Sequence, residues 1–205
     1  MNASQIIEKL GNRTPSIMGK KLNRQAAVLL PLLTIRDETH ILFQVRSMQL
    51  KSQPGDICFP GGRMEPEDES PKQTAIRETM EELGVREESI DSLIPLDYIA
   101  NNNGRIIYPF VGRLHHPDEI APNKAEVEEV FTVPLDYLLE AEPEVYKVHI
   151  HVKPEENFPF DRIVGGKDYQ WSAGHIDELF YQYEGKVIWG LTAKILTHFL
   201  HLIKM

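Results

Sequence analysis

FPGGRMEPEDESPKQTAIRETMEELGV, residues 59–85, predicts a strand end, a glycine turn, an acidic loop and one capped helix. Ser70 is placed to cap the helix, Pro71 takes its first position, and Gln73 completes a capping box. Gly84 is expected to end the helix, because a left-handed residue is favoured there. The rest of the chain is interpreted around this helix and the turn that precedes it.

The predicted helix separates into two faces at about 100° per residue. One face carries Ala75, Ile76, Thr79, Met80 and Leu83, and the other carries Arg77, Glu78, Glu81 and Glu82. The carboxylates of the second face are neighbours, and each like-charged pair costs about 0.2–0.5 kcal/mol. A divalent cation would reverse that cost, and oxygen ligands that leave room for water and phosphate suit Mg²⁺ or Mn²⁺. The alternative is a solvated acidic face with Arg77 as a partial partner.

Gly61 and Gly62, before the acidic loop, let the backbone approach a ligand or metal closely. Residues 61–85 resemble the Nudix box, which runs glycine, five residues, an acid, seven residues, then Arg-Glu-apolar-any-Glu-Glu-any-Gly-apolar. Residues 77–85 read RETMEELGV and match this pattern, except that Thr79 replaces an apolar residue. Counted from Gly62, the early acid falls on Asp68, so the gap to Arg77 is one residue longer than in the general pattern.

The preceding residues 46–62, RSMQLKSQPGDICFPGG, resemble the upstream signature of the coenzyme A pyrophosphatase branch of the Nudix family. That branch also has the longer acidic loop. Lys51 stands where arginine is usual and Gln53 where histidine is usual, and lysine keeps the charge but loses bidentate recognition. The resemblance implies that Arg46 and Lys51 bind the substrate, together with Gly61 and Gly62. Solvated surface charges are the alternative for Arg46 and Lys51.

The resemblance also implies a fold, a cofactor and a set of catalytic residues. The fold would be a Nudix-like mixed β-sheet sandwiched between α-helices, α/β or α+β in class. Glu78, Glu81 and Glu82 would bind Mg²⁺ or Mn²⁺, and Arg77 would orient their carboxylates. The general base would be Glu78 or a glutamate from a later loop, either Glu126 or Glu129.

The resemblance to the coenzyme A pyrophosphatase branch implies that the substrate is a small nucleotide derivative, coenzyme A or an acyl-coenzyme A. The products would be 3′,5′-ADP and phosphopantetheine. Three other functions stay open. The chain could hydrolyse another linked nucleoside diphosphate such as ADP-ribose or NADH. It could be a catalytically weak nucleotide sensor, although the intact Glu78, Glu81 and Glu82 argue against this. It could be a structural interaction domain, which would leave the acidic cluster unexplained.

Composition indicates the number of domains, the classes of partner and the cellular location of the protein. The chain has 205 residues, 41% apolar and 26% charged, which predicts one globular domain, 1–205, with residues 1–24 as an N-terminal extension. The formal charge of −9 argues against a nucleic acid or an anionic membrane as a partner. The single cysteine, Cys58, cannot form an internal disulfide, which fits a cytoplasmic location. A homodimer is compatible with the sequence.

Apolar patterns predict the remaining elements. Strands are expected at 26–35, with a bulge or break at Pro31, and at 40–46, 55–59, 93–100, 105–114, 130–133 and 145–152. Helices are expected at 1–13, 134–140 and 186–204. Residues 123–129 are interpreted as an acidic loop. Residues 155–182 are interpreted as a loop, either a lid over a site or a purely structural segment.

Overall fold

A computed structural model describes residues 2–11, 25–100, 104–172 and 174–205. Within these ranges the larger sheet has eight strands: β1 (Gln25–Ile35), β2 (Glu38–Arg46), β3 (Ile57–Cys58), β4 (Gly61–Arg63), β5 (Ile90–Pro95), β6 (Ile99–Ala100), β7 (Ile106–Leu114) and β8 (Val127–Pro134). The smaller sheet has three: β9 (Glu144–Ile150), β10 (Gly174–Tyr183) and β11 (Lys186–Trp189). The helices of the described ranges are α1 (Ala3–Gly11), α2 (Pro71–Leu83), α3 (Leu135–Glu140) and α4 (Gly190–Lys204).

The larger sheet is mixed and is built around β1. β1 pairs in parallel with β7 and antiparallel with β2 and β4. β2 also pairs with β3 and β8, and β7 with β5 and β6, all antiparallel. The connection from β4 to β5 contains α2, which places the helix against the sheet beside the glycine turn.

β1 is buried on both faces because successive side chains point to opposite sides of a sheet. On one face, apolar residues of β1 cluster with α2: Ala27, Leu29, Leu33, Ala75 and Leu83. On the other, they cluster with α3, α4 and the smaller sheet: Leu30, Leu138, Tyr181, Ile188 and Leu196. A mixed sheet between helices is therefore confirmed.

The expected break at Pro31 is wrong, since β1 runs through this residue. The N–H of Leu29 donates to the carbonyl of Pro60 at 2.9 Å, on the β4 side of β1. Because N–H groups alternate between the two edges of a strand, Pro31 faces the same edge as Leu29. It lies between the residues paired with β4 and those paired with β2, which begin at Leu32. The missing N–H thus falls where β1 changes partner.

The C-terminal part differs most from the sequence prediction. Gly174–Tyr183 is strand β10 instead of a loop, and Lys186–Trp189 is strand β11 instead of the start of a helix. Tyr181 and Ile188 are paired across these strands and both are buried in the core. α4 begins directly after β11, at Gly190, whose φ is 63°. The interpretation of 186–204 as one helix failed because a four-residue apolar strand does not differ in composition from a helix start.

Several other boundaries are also corrected. The predicted strand 93–100 is two strands, β5 and β6, and the predicted strand 145–152 is β9, which ends at Ile150. β8 begins at Val127, so Glu129 lies in a strand and not in the predicted acidic loop. The reason is that β2 keeps β8 as a partner along its whole edge, up to the pair Arg46 and Val127.

The predicted N-terminal helix is α1, and its side chains are exposed. The remainder of the predicted extension, Met1 and residues 12–24, lies outside the described residues. The described ranges contain no helix with the length and hydropathy needed to cross a membrane.

Candidate active site

Helix α2 has the predicted caps. Ser70 Oγ accepts the N–H of Gln73 at 3.3 Å, with Pro71 as the first helical residue. Gly84 has a φ of 65°, and its N–H donates to the carbonyl of Met80 at 2.9 Å. Thr79, which stands where the family pattern has an apolar residue, is fully buried, and its hydroxyl donates to the carbonyl of Ala75 at 2.7 Å. The threonine therefore fits the packed face without an unpaired polar atom.

The two glycines of the turn are required by different neighbours. Gly61 has a φ of 150°, and a Cβ there would lie 2.3 Å from the carbonyl oxygen of Ala27. A Cβ on Gly62 would lie 2.4 Å from the carboxylate atoms of Glu78. Gly61 thus permits close pairing of β4 with β1, whereas the absent side chain of Gly62 leaves the space that the Glu78 carboxylate occupies. Both glycines are thus needed for contacts within the protein, and the predicted approach of the backbone to a ligand or metal stays a prediction.

Glu82 is buried, with 4% of its surface exposed, so the alternative of a solvated acidic face is wrong for this residue. It lies at the edge of the face that packs on the sheet. Its Oε2 accepts the N–H of Gly61 and the amide Nε2 of Gln44, each at 2.8 Å. Burial raises the pKa of Glu82 to about 7, and these two hydrogen bonds limit the rise because they favour the ionised form.

Arg77 lies between the other carboxylates of the helix. Its Nη1 donates to Glu78 Oε1 at 3.0 Å and to Glu81 Oε2 at 3.2 Å, while Nη2 donates to the carbonyl of Arg63 at 3.1 Å. Glu78 is mostly buried and Glu81 is exposed, with 15% and 54% of their side chains accessible. Burial raises the pKa of Glu78, and the Arg77 guanidinium opposes this rise. The three predicted metal ligands therefore have three different environments.

Asp68 holds Arg77 in this place. Nε and Nη2 of Arg77 donate to its two oxygens at 3.1 and 3.0 Å, a bidentate arrangement. Asp68 also accepts the N–H of Glu65 at 2.8 Å and the hydroxyl of Thr74 at 2.9 Å. These bonds, with that of Arg77 first, lower the pKa of Asp68 to about 2. The early acid of the motif is thus a buried anchor that orients Arg77, a role the sequence pattern did not specify.

Glu78, Glu81 and Glu82 are the side chains that could hold a divalent cation. In the described parts of the chain, no three His, Cys, Asp or Glu side chains already converge as a metal-binding group. The Arg77 guanidinium is itself the cation between Glu78 and Glu81. The chemistry nevertheless fits a hard cation, because Glu78, Glu81 and Glu82 offer only oxygen ligands, and the absent side chain of Gly62 lets the Glu78 carboxylate lie against the turn.

Two cavities open beside the glycine turn, with volumes of about 330 and 280 Å³. They share five lining residues: Val28, Arg46, Gln53, Gly61 and Leu191. Of the two cationic residues that the motif singles out, Arg46 lines both cavities and Lys51 is exposed in the turn that follows β2. The Arg46 guanidinium donates to the carbonyl of Ser52, at 3.4 Å from Nε and 3.3 Å from Nη2.

Glu126 and Glu129, the two candidate bases outside α2, lie in different surroundings. Glu126 belongs to a turn that contacts the end of α2, where the N–H of Asn123 donates to the carbonyl of Glu82 at 2.9 Å, and its negative charge contributes to the raised pKa of both Glu78 and Glu82. Its carbonyl accepts the N–H of Ser47 at 2.8 Å, which ties its turn to the end of β2. Glu129 instead forms an ion pair with Lys186 of β11. The structure thus brings Glu126, and not Glu129, into the neighbourhood of the helix carboxylates.

Gln44 is a residue of the candidate site that the sequence analysis does not single out. It is completely buried on β2 and donates to Glu82 at 2.8 Å, with Cys58 Sγ 3.6 Å from the same nitrogen. Burial raises the pKa of the Cys58 thiol to about 11, so this neighbour is uncharged at neutral pH. The available signal was a polar residue inside the run ILFQV, residues 41–45, at a position that alternation assigns to the face packed on α2.

Comparison with known proteins gives a consistent result. Residues 23–154 match the sequence model of the NUDIX domain. The chain is 42% identical over 120 residues to the peroxisomal coenzyme A diphosphatase NUDT7 of Mus musculus, a match that covers 58% of this chain and 50% of that protein. It is 39% identical over 125 residues to the human mitochondrial coenzyme A diphosphatase NUDT8, covering 59% and 52%.

A bacterial relative matches over more of its length. The chain is 32% identical over 174 residues to NudL of Photorhabdus laumondii, an uncharacterized Nudix hydrolase, covering 85% of this chain and 82% of the relative. In contrast, the match spans only about half the length of the mouse and human diphosphatases.

Asp68→Asn should destabilise the protein in a pH-dependent way. A carboxylate whose pKa falls from 3.8 to about 2 on folding contributes about 2 kcal/mol at neutral pH. Because the folded pKa is lowered, this contribution is present above pH 4, falls to roughly half near pH 3 and disappears below pH 2. The measurement is the free energy of unfolding in urea at pH 3 and pH 7, with Asp118→Asn, at an exposed aspartate, as the control. If the free energies of unfolding of the parent and Asp68→Asn differ by the same amount at both pH values, Asp68 does not hold Arg77 through an ionised carboxylate.

Proposed function

Since this chain belongs to the Nudix hydrolase family, we propose that it is a divalent-metal-dependent pyrophosphohydrolase that cleaves coenzyme A or an acyl-coenzyme A. The products would be 3′,5′-ADP and the corresponding phosphopantetheine. The observation that carries the proposal is the burial of two carboxylates, Glu78 and Glu82, against the turn at Gly61 and Gly62. That turn borders the cavities that Arg46 lines.

Glu78, Glu81 and Glu82 would hold the cation, with the Gly62 backbone beside them. Their hard oxygen donors suit Mg²⁺ or Mn²⁺, which commonly bind phosphate-containing substrates with few protein ligands. When bound, a cation of this kind neutralises pyrophosphate oxygens and lowers the pKa of water. Arg77 would orient Glu78 and Glu81 through the hydrogen bonds it makes to both.

Glu126 is the proposed general base. Its negative charge contributes to the raised pKa of Glu78 and Glu82, and its turn is fixed to β2 by the hydrogen bond from Ser47. Its task would be to accept a proton from the water that attacks phosphorus. Glu129 is a weaker candidate because its carboxylate already pairs with Lys186. Glu78 would serve as base if neither loop glutamate does.

Coenzyme A is favoured as substrate by sequence similarity. Residues 46–62 resemble the upstream signature of that branch, with departures at Lys51 and Gln53, and two relatives whose matches cover 58% and 59% of this chain are named coenzyme A diphosphatases. Arg46 lines both cavities, whereas Arg63 and Arg105 line only the smaller one, so Arg46 is the proposed contact for the 3′-phosphate of the substrate. Such a contact would help to offset the net charge of −9, which otherwise repels an anionic substrate. A cytoplasmic location and a homodimer stay predictions.

The substrate prediction is that dephospho-coenzyme A is hydrolysed less efficiently than coenzyme A. A lost hydrogen bond to a charged group costs about 1.5–3 kcal/mol, which lowers kcat/KM roughly 10–150-fold. Arg46→Gln should reduce activity on coenzyme A by a similar factor and leave activity on dephospho-coenzyme A nearly unchanged. Products are identified by mass with Mg²⁺ or Mn²⁺ present, and a chelator should abolish the reaction.

Lys51, the second substrate-binding cation that the resemblance implies, is tested in the same way, since Lys51→Gln should reduce activity on coenzyme A alone if Lys51 also contacts the 3′-phosphate. Activity on ADP-ribose and NADH tests the alternative that the protein hydrolyses another linked nucleoside diphosphate. Equal kcat/KM for coenzyme A and dephospho-coenzyme A would remove the 3′-phosphate from the account, and preferred cleavage of ADP-ribose or NADH would replace the proposed substrate.

The prediction for the base is that Glu126→Gln lowers kcat by about 10²–10⁴-fold at saturating metal, while Glu129→Gln does not. The acid limb of the pH profile of kcat should disappear in Glu126→Gln, since that limb would report protonation of the base. Turnover and a pH profile like those of the parent in Glu126→Gln would exclude this residue. If Glu129→Gln behaved in the same way, the role would pass to Glu78.

A further inference from the structure

We propose that Gln44 is a positioning residue that fixes the orientation of the Glu82 carboxylate within the active site. The catalytic part of this inference rests on the proposed function, whereas its binding part concerns only the affinity of the site for a divalent cation.

The side chain of Gln44 is held rigidly. Its strand, β2, is paired on one edge with β8 and on the other with β1 and then β3, where Gln44 is opposite Cys58. No part of the residue is exposed to solvent. A donor that projects from such a position is fixed by the sheet, and sites built on paired strands are held more precisely than sites on loops.

The orientation of the amide follows from its neighbours. Nε2 lies 2.8 Å from Glu82 Oε2 and 3.6 Å from Cys58 Sγ. The reversed amide would place its oxygen against the carboxylate oxygen of Glu82, which is repulsive when both are acceptors. The nitrogen must therefore face Glu82.

This arrangement leaves the other end of the amide without a partner. Gln44 Oε1 is buried and accepts no hydrogen bond from any described residue. A buried acceptor without a partner is costly, and an apolar side chain at this core position would avoid the cost. The fold alone thus gives no reason for glutamine here, whereas the hydrogen bond to Glu82 does.

Two donors meet on one oxygen of Glu82. The N–H of Gly61 and the amide of Gln44 both donate to Oε2, one from β4 and one from β2. With its Cα fixed in α2, the carboxylate is held at three points and cannot rotate freely. Loss of Gln44 should leave Glu82 in place but loosely oriented, as happens when partners that orient a metal ligand are removed.

The test is the affinity for Mn²⁺, measured by calorimetric titration without substrate. Gln44→Met, which keeps the volume and removes the donor, should weaken Mn²⁺ binding by about 10–100-fold. Gln44→Asn keeps the amide but is one methylene too short, so the same loss is expected. Tyr181→Phe is the control for the loss of a buried hydrogen bond away from the site, the one between Tyr181 and Thr197, and it should bind Mn²⁺ like the parent.

A double-mutant cycle separates positioning from a general structural effect. In a Glu82→Gln background, Gln44→Met should change Mn²⁺ affinity by less than about twofold, because the carboxylate it orients is gone. Once turnover is established for the parent, kcat should fall in Gln44→Met while KM for the substrate stays constant.

Parent-like Mn²⁺ affinity in Gln44→Met and Gln44→Asn, or an equal loss with and without Glu82, would overturn the proposal. If Gln44→Met does not fold, Gln44→Asn gives the same comparison. Because the titration needs no substrate, an error in the proposed substrate would leave this result unaffected.

Discussion

One oxygen of one carboxylate, Oε2 of Glu82, joins helix α2 to the sheet at two points. It accepts the N–H of Gly61 at the start of β4 and the amide of Gln44 in β2. The geometry of the site depends on this contact, since the glycine turn, the helix and the central strands meet there. Gly61 can make it only because it has no side chain, as a Cβ would collide with the backbone of β1.

The acidic residues of α2 are stabilised by a chain of ion pairs. Asp68 anchors Arg77, and Arg77 in turn contacts Glu78 and Glu81. Glu82 has no such partner in its described hydrogen bonds and relies on two uncharged donors, which is why burial dominates and raises its pKa. The mutual repulsion of these carboxylates is thus offset by the Arg77 guanidinium at Glu78 and Glu81 and by two donors of the sheet at Glu82.

The sequence was sufficient for the features that depend on local chemistry. The caps at Ser70 and Gly84 and the mixed sheet between helices are confirmed. These follow from hydrogen bonding within one turn and from apolar patterning, which a sequence displays directly.

The errors concern features that depend on distant neighbours. The burial of Glu82 requires Gln44, which is 38 residues away in sequence. The continuity of β1 through Pro31 depends on where two other strands begin and end. Sequence patterning predicts a helix at β11, because a short apolar run does not reveal its pairing with β10. None of these three features follows from the composition or periodicity of a short stretch of sequence.

The most direct test of the account is the Mn²⁺ affinity of Glu82→Gln compared with that of the parent. Glutamine can present its carbonyl oxygen to Gly61 and Gln44, so the metal-free variant should be at least as stable as the parent while lacking the buried charge. The account predicts Mn²⁺ binding at least about tenfold weaker in this variant, and parent-like binding in Glu119→Gln, at an exposed glutamate outside the site. Parent-like Mn²⁺ affinity in Glu82→Gln would contradict the claim that this buried carboxylate is the centre of a cation site.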